Sequence, residues 1–173
     1  RETLAYLRAK GMNAVRLPFR WERLQPRLNA PLAASELALI DETVATATGM
    51  GLTVILDPHN YAKYRDAFIG SDAVPASAFA DFWGRLARRY KGRSDVVFLL
   101  MNEPAFIAAR DWLPSVNAAV AAIREAGADN LVMVPGTIWT GASHWFDDQP
   151  GGSNAEVLKG VVDPMDRYIF DVH

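Results

Sequence analysis

The chain has 173 residues, of which 50% are hydrophobic and 22% charged, and its 18 Lys and Arg against 20 Asp and Glu give a net charge of −2. This balance argues against nucleic acid as the main partner, because phosphate binding normally needs clustered positive charge. No run of about 18 apolar residues is present, which excludes a membrane-spanning helix. The sequence has no cysteine, so disulfide bonds, thiolate metal sites and thiol nucleophiles are excluded as well.

Short apolar runs alternate along the chain with stretches that have the apolar spacing of a helix. In chain order, this pattern predicts a helix over residues 2–10, a strand over 13–19, a helix over 35–48, a strand over 52–57, a helix over 77–90, a strand over 96–101, a helix over 111–126, and strands over 131–134 and 168–172. Residues 147–162 predict a loop with a short helical turn at 154–158. Glycines follow the four helical stretches, where a left-handed residue commonly ends a helix; they are Gly11, Gly49, Gly92 and Gly127.

The strand runs repeat about every 38 residues, which is compatible with a helical solenoid, an open doubly wound sheet or a (β/α)8 barrel. The repeats share no sequence signature, which disfavours a solenoid. No G-x-G-x-x-G motif follows a strand, which disfavours a dinucleotide-binding sheet. Eight such units would need about 308 residues, a normal length for a barrel. We therefore expect residues 1–173 to be part of one α/β catalytic domain, a (β/α)8 TIM barrel truncated at both ends, with about five parallel strands present.

Polar or aromatic side chains stand at or near the carboxyl end of every predicted strand. They are Arg16, His59, the pair Asn102 and Glu103, Trp139, and His173. In parallel α/β folds this rim is where ligands bind and chemistry takes place. Glu103 follows a strongly apolar run, and a dry setting would keep its carboxyl protonated, as a general acid requires. Structural roles stay open for two of the others, since Arg16 could neutralise a buried acid and His59 could serve only as a hydrogen-bonded structural residue.

Two Asp-x-His triplets raise an alternative chemistry. Asp57 and Asp171 share strand parity with His59 and His173, so each should point to the same face one layer deeper and orient its imidazole. The same pairs could ligate a metal ion, with Glu103 between them, in a metal-dependent barrel hydrolase. The chain has only three histidines, one of them outside the strands, which disfavours this interpretation. A non-catalytic carbohydrate-binding barrel is a further alternative, because it would keep the same aromatic rim.

Five segments carry a family resemblance, in order, over nearly the whole chain. They are residues 11–19 (GMNAVRLPF), 56–64 (LDPHNYAKY), 101–104 (MNEP), 135–142 (PGTIWTGA) and 169–173 (IFDVH). On these segments the chain resembles glycoside hydrolase family 5, the cellulase family, and especially its endo-β-1,4-glucanases. The resemblance implies a secreted, monomeric, retaining and endo-acting enzyme that cleaves β-1,4-glucan, has this polysaccharide as its partner, and needs no cofactor or metal. A β-mannanase or another β-glucanase of the family is the alternative.

The resemblance also implies a role for each residue of the rim. These roles are acid/base catalysis for Glu103, hydrogen bonding to the sugar 2-hydroxyl for Asn102, support of the nucleophile for Arg16, contact with that sugar for His59 and His173, and stacking for Trp139, with Tyr64 or Trp21 added to the cleft wall. The nucleophile of the family, a Glu on a later strand, is expected beyond His173. We therefore expect the 173 residues alone to be inactive and the whole protein to be active.

Overall fold

The computed structural model describes all 173 residues. The strands are β1 (Ala14–Phe19), β2 (Thr53–Pro58), β3 (Lys63–Tyr64), β4 (Ala67–Phe68), β5 (Val96–Leu99), β6 (Val132–Pro135) and β7 (Tyr168–Asp171). The α-helices are α1 (Glu2–Ala9), α2 (Trp21–Leu24), α3 (Ala34–Gly49), α4 (Ala76–Tyr90), α5 (Ala109–Glu125) and α6 (Asn154–Val157). One parallel sheet has the order β1-β2-β5-β6-β7, and β3 and β4 form a separate antiparallel hairpin. None of the helices combines the length and the apolar character that a membrane span requires.

The predicted strands and long helices are confirmed, each within two residues of its observed bounds. The end of α3 was predicted wrongly: Gly49 is the last residue of this helix, and Gly51 has the left-handed φ of +76°. The reason is that the N–H of Leu52 bonds back to the carbonyl of Ala47, and this closure requires the left-handed residue directly before Leu52. The sequence also missed α2 and the hairpin, because both are too short to carry a periodic pattern.

Two buried tryptophans fix the long helices against the ends of the strands. Trp83 on α4 donates its indole N–H to the carbonyl of Leu100 at 3.2 Å. Trp112 on α5 donates to the carbonyl of Pro135 at 2.9 Å. Both rings are completely buried, and a buried indole N–H needs an acceptor. These bonds therefore hold α4 and α5 at the points where β5 and β6 end and the rim loops begin.

The segment that leads into β7 is tied to α5 by a buried ion pair. Arg124 makes two hydrogen bonds to the Asp163 carboxylate, at 2.9 and 2.7 Å. The same carboxylate accepts the backbone N–H groups of Met165 and Arg167. Hydrogen bonds from Arg124 lower the pKa of Asp163 to about 2, against the opposing effect of burial. The pair thus fixes the entry to β7 and, through that strand, the position of His173.

Candidate active site

The carboxyl ends of the parallel strands lie side by side, so that residues distant in sequence meet at one rim. β1 and β2 pair in register up to Phe19 and Pro58, and β6 and β7 up to Pro135 and Asp171. The loops beyond are joined as well, since the N–H of Asn102 donates to the carbonyl of Pro58 at 2.9 Å. Here Arg16 contacts Asn102 and His173, and Glu103 contacts His173. His59 is linked to Arg16 through Asp57, which bonds to both. Trp139 lies on an adjoining loop.

Arg16 is the centre of the hydrogen-bond network at the rim. Its Nε donates to Asp57 Oδ2 at 2.8 Å, its Nη2 donates to Asn102 Oδ1, and its Nη1 lies 3.2 Å from His173 Nε2. The Asp57 side chain is completely buried, whereas that of Arg16 is 31% exposed. Arg16 therefore neutralises a buried acid, which is the structural role that the sequence left open. It also orients two side chains that were predicted to contact a sugar.

The amide of Asn102 has one engaged end and one free end. Because its Oδ1 accepts from Arg16, its Nδ2 faces the other way, and this buried donor has no hydrogen-bond partner in the protein. A buried donor without a partner costs free energy. The unpaired N–H group is thus available to donate to a hydroxyl of a bound ligand, which is the chemistry predicted for Asn102.

His59 is held by the same buried carboxylate as Arg16. Its Nδ1 lies 2.8 Å from Asp57 Oδ2. An ionised carboxylate can only accept, so Nδ1 carries the proton and Nε2 of the neutral ring is left as an acceptor. The ring packs edge-on against Tyr61, with 5.5 Å between centroids, and is 37% exposed. Asp57 thus orients the imidazole in the way that the strand parity predicts.

Glu103 lies on strained backbone four residues beyond the end of β5. Its φ of +40° is left-handed, a conformation that costs a non-glycine residue about 1–3 kcal/mol and persists only where neighbours hold it. Its Oε1 lies 2.8 Å from Nδ1 of His173. The expectation of a dry carboxyl is wrong, because the side chain is 30% exposed: the loop carries it out of the apolar layer into the open rim.

His173 joins Glu103 to Arg16. Arg16 can only donate, so its contact with Nε2 requires that nitrogen to be unprotonated. The neutral ring then carries its proton on Nδ1 and donates it to Glu103. Oδ2 of Asp171 lies 3.2 Å from the same Nε2 but makes no hydrogen bond. Because Arg16 already donates to Nε2, this nitrogen leaves the Asp171 oxygen without a hydrogen bond.

Asp171 lies one layer below its histidine, as the strand parity predicts, and is 7% exposed. Burial raises the pKa of Asp171 above the ordinary value; the charges of His173 and Arg16 oppose this effect, and those of Asp57 and Glu103 add to it. The protonation of this buried acid is therefore sensitive to the charge state of the whole rim.

The loop after β6 is bonded to both sides of the site. Ile138, Trp139 and Thr140 all have left-handed φ values between 53° and 57°. The N–H of Trp139 donates to the carbonyl of Pro104 at 3.1 Å, and the N–H of His173 donates to the carbonyl of Thr140 at 2.9 Å. These bonds offset the backbone strain. They hold Trp139 at the rim with 45% of its surface exposed.

Trp21 and Tyr64 are not cleft residues, contrary to the prediction. Trp21 is completely buried and Tyr64 is 6% exposed, and their rings meet edge to face at 4.8 Å. Their polar atoms both bond to Gln25, at 2.9 and 2.8 Å. The physical reason is that α2 and the β3–β4 hairpin fold over the end of the core and turn both rings inward.

Sequence reasoning missed two rim residues, Phe106 and Glu22. The Phe106 ring is 79% exposed and meets the ring of Trp139 at 5.2 Å between centroids; its position three residues after Glu103 was the available signal. Glu22 accepts a hydrogen bond from Asn60 at 2.6 Å. Burial favours its neutral form, but hydrogen bonds from its own backbone N–H, Asn60 and Arg20 prevail and lower the pKa of Glu22. No periodic signal marks it, because α2 has only four residues.

The geometry disfavours the metal-dependent alternative. No group of three or more His, Asp or Glu side chains is arranged to hold a metal ion. The guanidinium of Arg16 lies between the two Asp-x-His triplets, bonded to Asp57 and 3.2 Å from His173. Its positive charge would repel a cation at that point. The residues present therefore do not fit a metal site at the rim.

Similarity to known proteins agrees with this architecture. The model of the family Cellulase (glycosyl hydrolase family 5) matches residues 1–173. The manganese dependent endoglucanase Eg5A of Phanerodontia chrysosporium is 35% identical over 98% of this chain and 44% of its own length. An endo-β-1,4-glucanase of Xanthomonas axonopodis pv. citri superposes with a TM-score of 0.97 at 46% identity, covering 99% of this chain and 54% of that one. XacCel5A, solved in complex with cellopentaose, superposes with a TM-score of 0.97 at 45% identity, over 99% and 55%.

Parallel strands that alternate with helices and carry polar side chains at their carboxyl rim are those of a (β/α)8 barrel, of which this chain forms a part. The chain belongs to the cellulase family, glycosyl hydrolase family 5. It spans about half the length of the curated relatives it matches, 44% and 51% of the first two. Manganese dependence is stated for the Phanerodontia relative, whereas the rim of this chain does not form a metal site.

Proposed function

We propose that the whole protein is a retaining endo-β-1,4-glucanase in which Glu103 is the general acid/base. The observation that carries this proposal is the 2.8 Å contact between Glu103 Oε1 and His173 Nδ1, at the rim where Arg16 also reaches Asn102 and the buried Asp57. A carboxyl that is bonded to an imidazole and still 30% exposed is able to give a proton to a bound ligand and to take one from water.

The proposed reaction has two steps. In the first, the Glu103 proton passes to the glycosidic oxygen while the bond from that oxygen to the anomeric carbon breaks and the nucleophile's carboxylate bonds to the same carbon. In the second, ionised Glu103 takes a proton from a water molecule whose oxygen attacks the anomeric carbon and releases the nucleophile. Between the steps, the Nδ1–H of His173 stabilises the negative charge on Glu103.

The acids that meet at this rim are poorly suited to attack a sugar. Asp57 is completely buried and already accepts two hydrogen bonds. Asp171 lies beneath the histidine with 7% exposure, and Glu22 is bonded to Asn60. We therefore place the nucleophile, a Glu, in another part of the whole protein, about 5–5.5 Å from Glu103, which is the separation of carboxyls in retaining enzymes.

β-1,4-Glucan is the proposed substrate. The relatives are named endoglucanases and XacCel5A is solved with cellopentaose. The exposed rings of Trp139 and Phe106 suit the flat apolar faces of β-linked pyranoses, and the free Nδ2 of Asn102 is a donor for a sugar hydroxyl. Because β-glucan is too large to cross a membrane, the proposal includes secretion of the enzyme. β-Mannan, whose 2-hydroxyl has the opposite configuration, is the alternative substrate.

The experiment measures hydrolysis of carboxymethylcellulose by the full-length protein and its Glu103→Gln variant. Glu125→Gln is the matched control, because Glu125 is an exposed carboxylate on α5. Loss of the proton donor should lower turnover by at least about 10²-fold, whereas the control should keep full activity. Near-normal turnover by Glu103→Gln rejects the assignment. If the wild type prefers β-mannan, β-mannan becomes the assigned substrate. If the wild type binds cellulose without hydrolysing it, the result favours a non-catalytic carbohydrate-binding barrel.

A further inference from the structure

Phe106 is a large apolar side chain that the core does not use. It is 79% exposed, whereas the residue before it, Ala105, is 2% exposed. Its φ of +57° is left-handed, which suits glycine or asparagine better than an aromatic residue. An exposed ring gains nothing from burial, and the turn does not require it. Neither packing nor turn chemistry therefore explains an aromatic side chain at this position.

Phe106 is paired with a second exposed ring. The Phe106 and Trp139 centroids are 5.2 Å apart and the ring planes meet at 79°. The N–H of Trp139 donates to the carbonyl of Pro104, so the backbones of the two loops are tied together two residues before Phe106. The two rings thus form a fixed aromatic ridge, the Phe106–Trp139 ridge, which begins three residues beyond Glu103.

This ridge stands between two clefts. One has a volume of about 560 Å³, and both ridge rings line it together with the loop after β6. The other, which we call the hairpin cleft, has a volume of about 780 Å³ and lies between the β3–β4 hairpin and the start of α5. Phe106 lines both clefts, whereas Trp139 lines only the first. A molecule that crosses the ridge from Trp139 therefore passes over Phe106 into the hairpin cleft.

The hairpin cleft carries polar groups that have no partner in the chain. Asp72 and Arg110 line it, both are exposed, and neither forms an ion pair. The hydroxyl of Ser115, at the base of the same cleft, is completely buried and makes no hydrogen bond. An aromatic ring beside free hydrogen-bonding side chains is the composition of a site for a sugar, which offers an apolar face and a rim of hydroxyls.

We propose that Phe106 and the hairpin cleft bind one further pyranose unit of the polysaccharide, beyond the unit that contacts Trp139. This inference rests on the proposed function, because the occupant is the same β-linked chain that Glu103 acts on. The Phe106 ring supplies the stacking face, and Asp72 and Arg110 supply hydrogen bonds to the sugar hydroxyls. Continuity of the ridge with the rim favours a glycan over any other occupant. Only chains long enough to reach Phe106 gain from this contact.

The test compares cello-oligosaccharides of increasing length, from three to six glucose units, with the full-length protein and its Phe106→Ala and Phe106→Tyr variants. Phe146→Ala is the matched control, since Phe146 is 81% exposed but lines neither cleft. We expect Phe106→Ala to lower kcat/KM for the longest oligosaccharide by about 3- to 10-fold, the range of one aromatic contact, with cleavage of the shortest unchanged. Phe106→Tyr and Phe146→Ala should keep the length dependence of the wild type.

A second variant, Arg110→Ala, tests the same subsite if Phe106→Ala fails to fold. Arg110→Ala changes an exposed side chain of the hairpin cleft and should lower kcat/KM for the longest oligosaccharide only. An equal effect of Phe106→Ala on every length, or no effect on any, overturns the additional subsite while the proposed function stands. Failure of the wild type to cleave any β-glucan overturns the proposed function and the subsite together, so the two failures are distinct.

Discussion

Glu103 Oε1 and His173 Nδ1 lie 2.8 Å apart, although 70 positions separate the two residues in the chain. The other nitrogen of His173 faces a donor, Arg16, and an acceptor, Asp171. Because Arg16 can only donate, it occupies the unprotonated Nε2, and the Asp171 oxygen is left without a hydrogen bond. The contact with Arg16 therefore fixes the tautomer of the ring, which donates its Nδ1 proton to Glu103.

Asp171→Asn should separate stability from activity. Burial raises the pKa of Asp171, so the ionised group is disfavoured in the folded state and its contribution to stability falls as the pH rises above the ordinary carboxyl pKa. The Asn variant lacks this loss and should be at least as stable as the wild type at pH 7. Its activity should be several-fold lower, because the change from acid to amide alters the polar group 3.2 Å from the His173 ring that contacts Glu103. Urea unfolding and hydrolysis rates of the full-length protein between pH 4 and pH 8 measure both, and a clearly less stable variant at pH 7 contradicts the argument.

Asp57→Asn should weaken two contacts at once. One oxygen of Asp57 accepts from both Arg16 and His59, and a neutral amide cannot balance the charge of Arg16. Because Arg16 is partly exposed, we expect a loss of about 2 kcal/mol of unfolding free energy, below the range for fully buried pairs, together with about a tenfold or greater fall in kcat/KM from misplaced side chains. Asp129→Asn, at an exposed position, is the control. An unchanged unfolding midpoint would show that the buried carboxylate is dispensable.

Asp163→Asn should remove part of the acid sensitivity of the fold. The pKa of Asp163 is lowered to about 2, so this carboxylate contributes stability above the ordinary Asp pKa, and that contribution is lost as the pH falls from about 4 to about 2. The shift corresponds to about 2 kcal/mol. The variant should therefore be less stable at pH 7, and its unfolding free energy should change less across this pH range. Asp166→Asn, exposed on the same segment, should keep the pH dependence of the wild-type unfolding free energy. If the two variants show the same pH dependence, the Arg124–Asp163 ion pair is not the source of the acid sensitivity.

Trp139→Ala should weaken binding of long substrates without disturbing the loop. Its backbone N–H keeps the bond to Pro104, so only the ring is lost. The apparent KM of the full-length protein for long cello-oligosaccharides should rise by about 3- to 10-fold, the scale of one aromatic contact. Tyr6→Ala removes another exposed ring, on α1 (62% exposed), and should change nothing. Equal KM values for Trp139→Ala and the wild type would remove Trp139 from the cleft.

Residues 1–173 expressed alone should associate and fail to hydrolyse carboxymethylcellulose. β1 and β7 are the two edges of the parallel sheet, and on β7 Ile169 and Phe170 are 46% and 40% exposed. Unpaired edges with exposed apolar side chains promote association, and a retaining mechanism needs a second carboxyl. Sedimentation velocity and a hydrolysis assay, with the full-length protein as the active reference, check both parts. A well-behaved monomer contradicts the first part, and turnover comparable to the full-length protein contradicts the second.

The alternation of strands and helices could be predicted from the sequence because it depends on local signals. Apolar spacing repeats within one element, so each strand and long helix was located to within two residues. The rim followed from one further rule, that the carboxyl ends of parallel strands meet at one edge. Arg16, Asn102, Glu103 and His173 each come at or near the end of such a strand, so the sequence predicted that they lie near one another.

Which of these side chains touch, and which are buried, was decided only by the tertiary structure. Trp21 and Tyr64 were candidates for the cleft wall because both are aromatic. However, α2 and the β3–β4 hairpin, which are too short to show a periodic pattern, place both rings in the core. Arg16 contacts His173 across 157 positions, and Phe106 forms a ridge with Trp139 from a different loop. Local sequence determines backbone conformation over a few residues, whereas the partner and burial of a side chain depend on register and packing between elements that are distant in the chain.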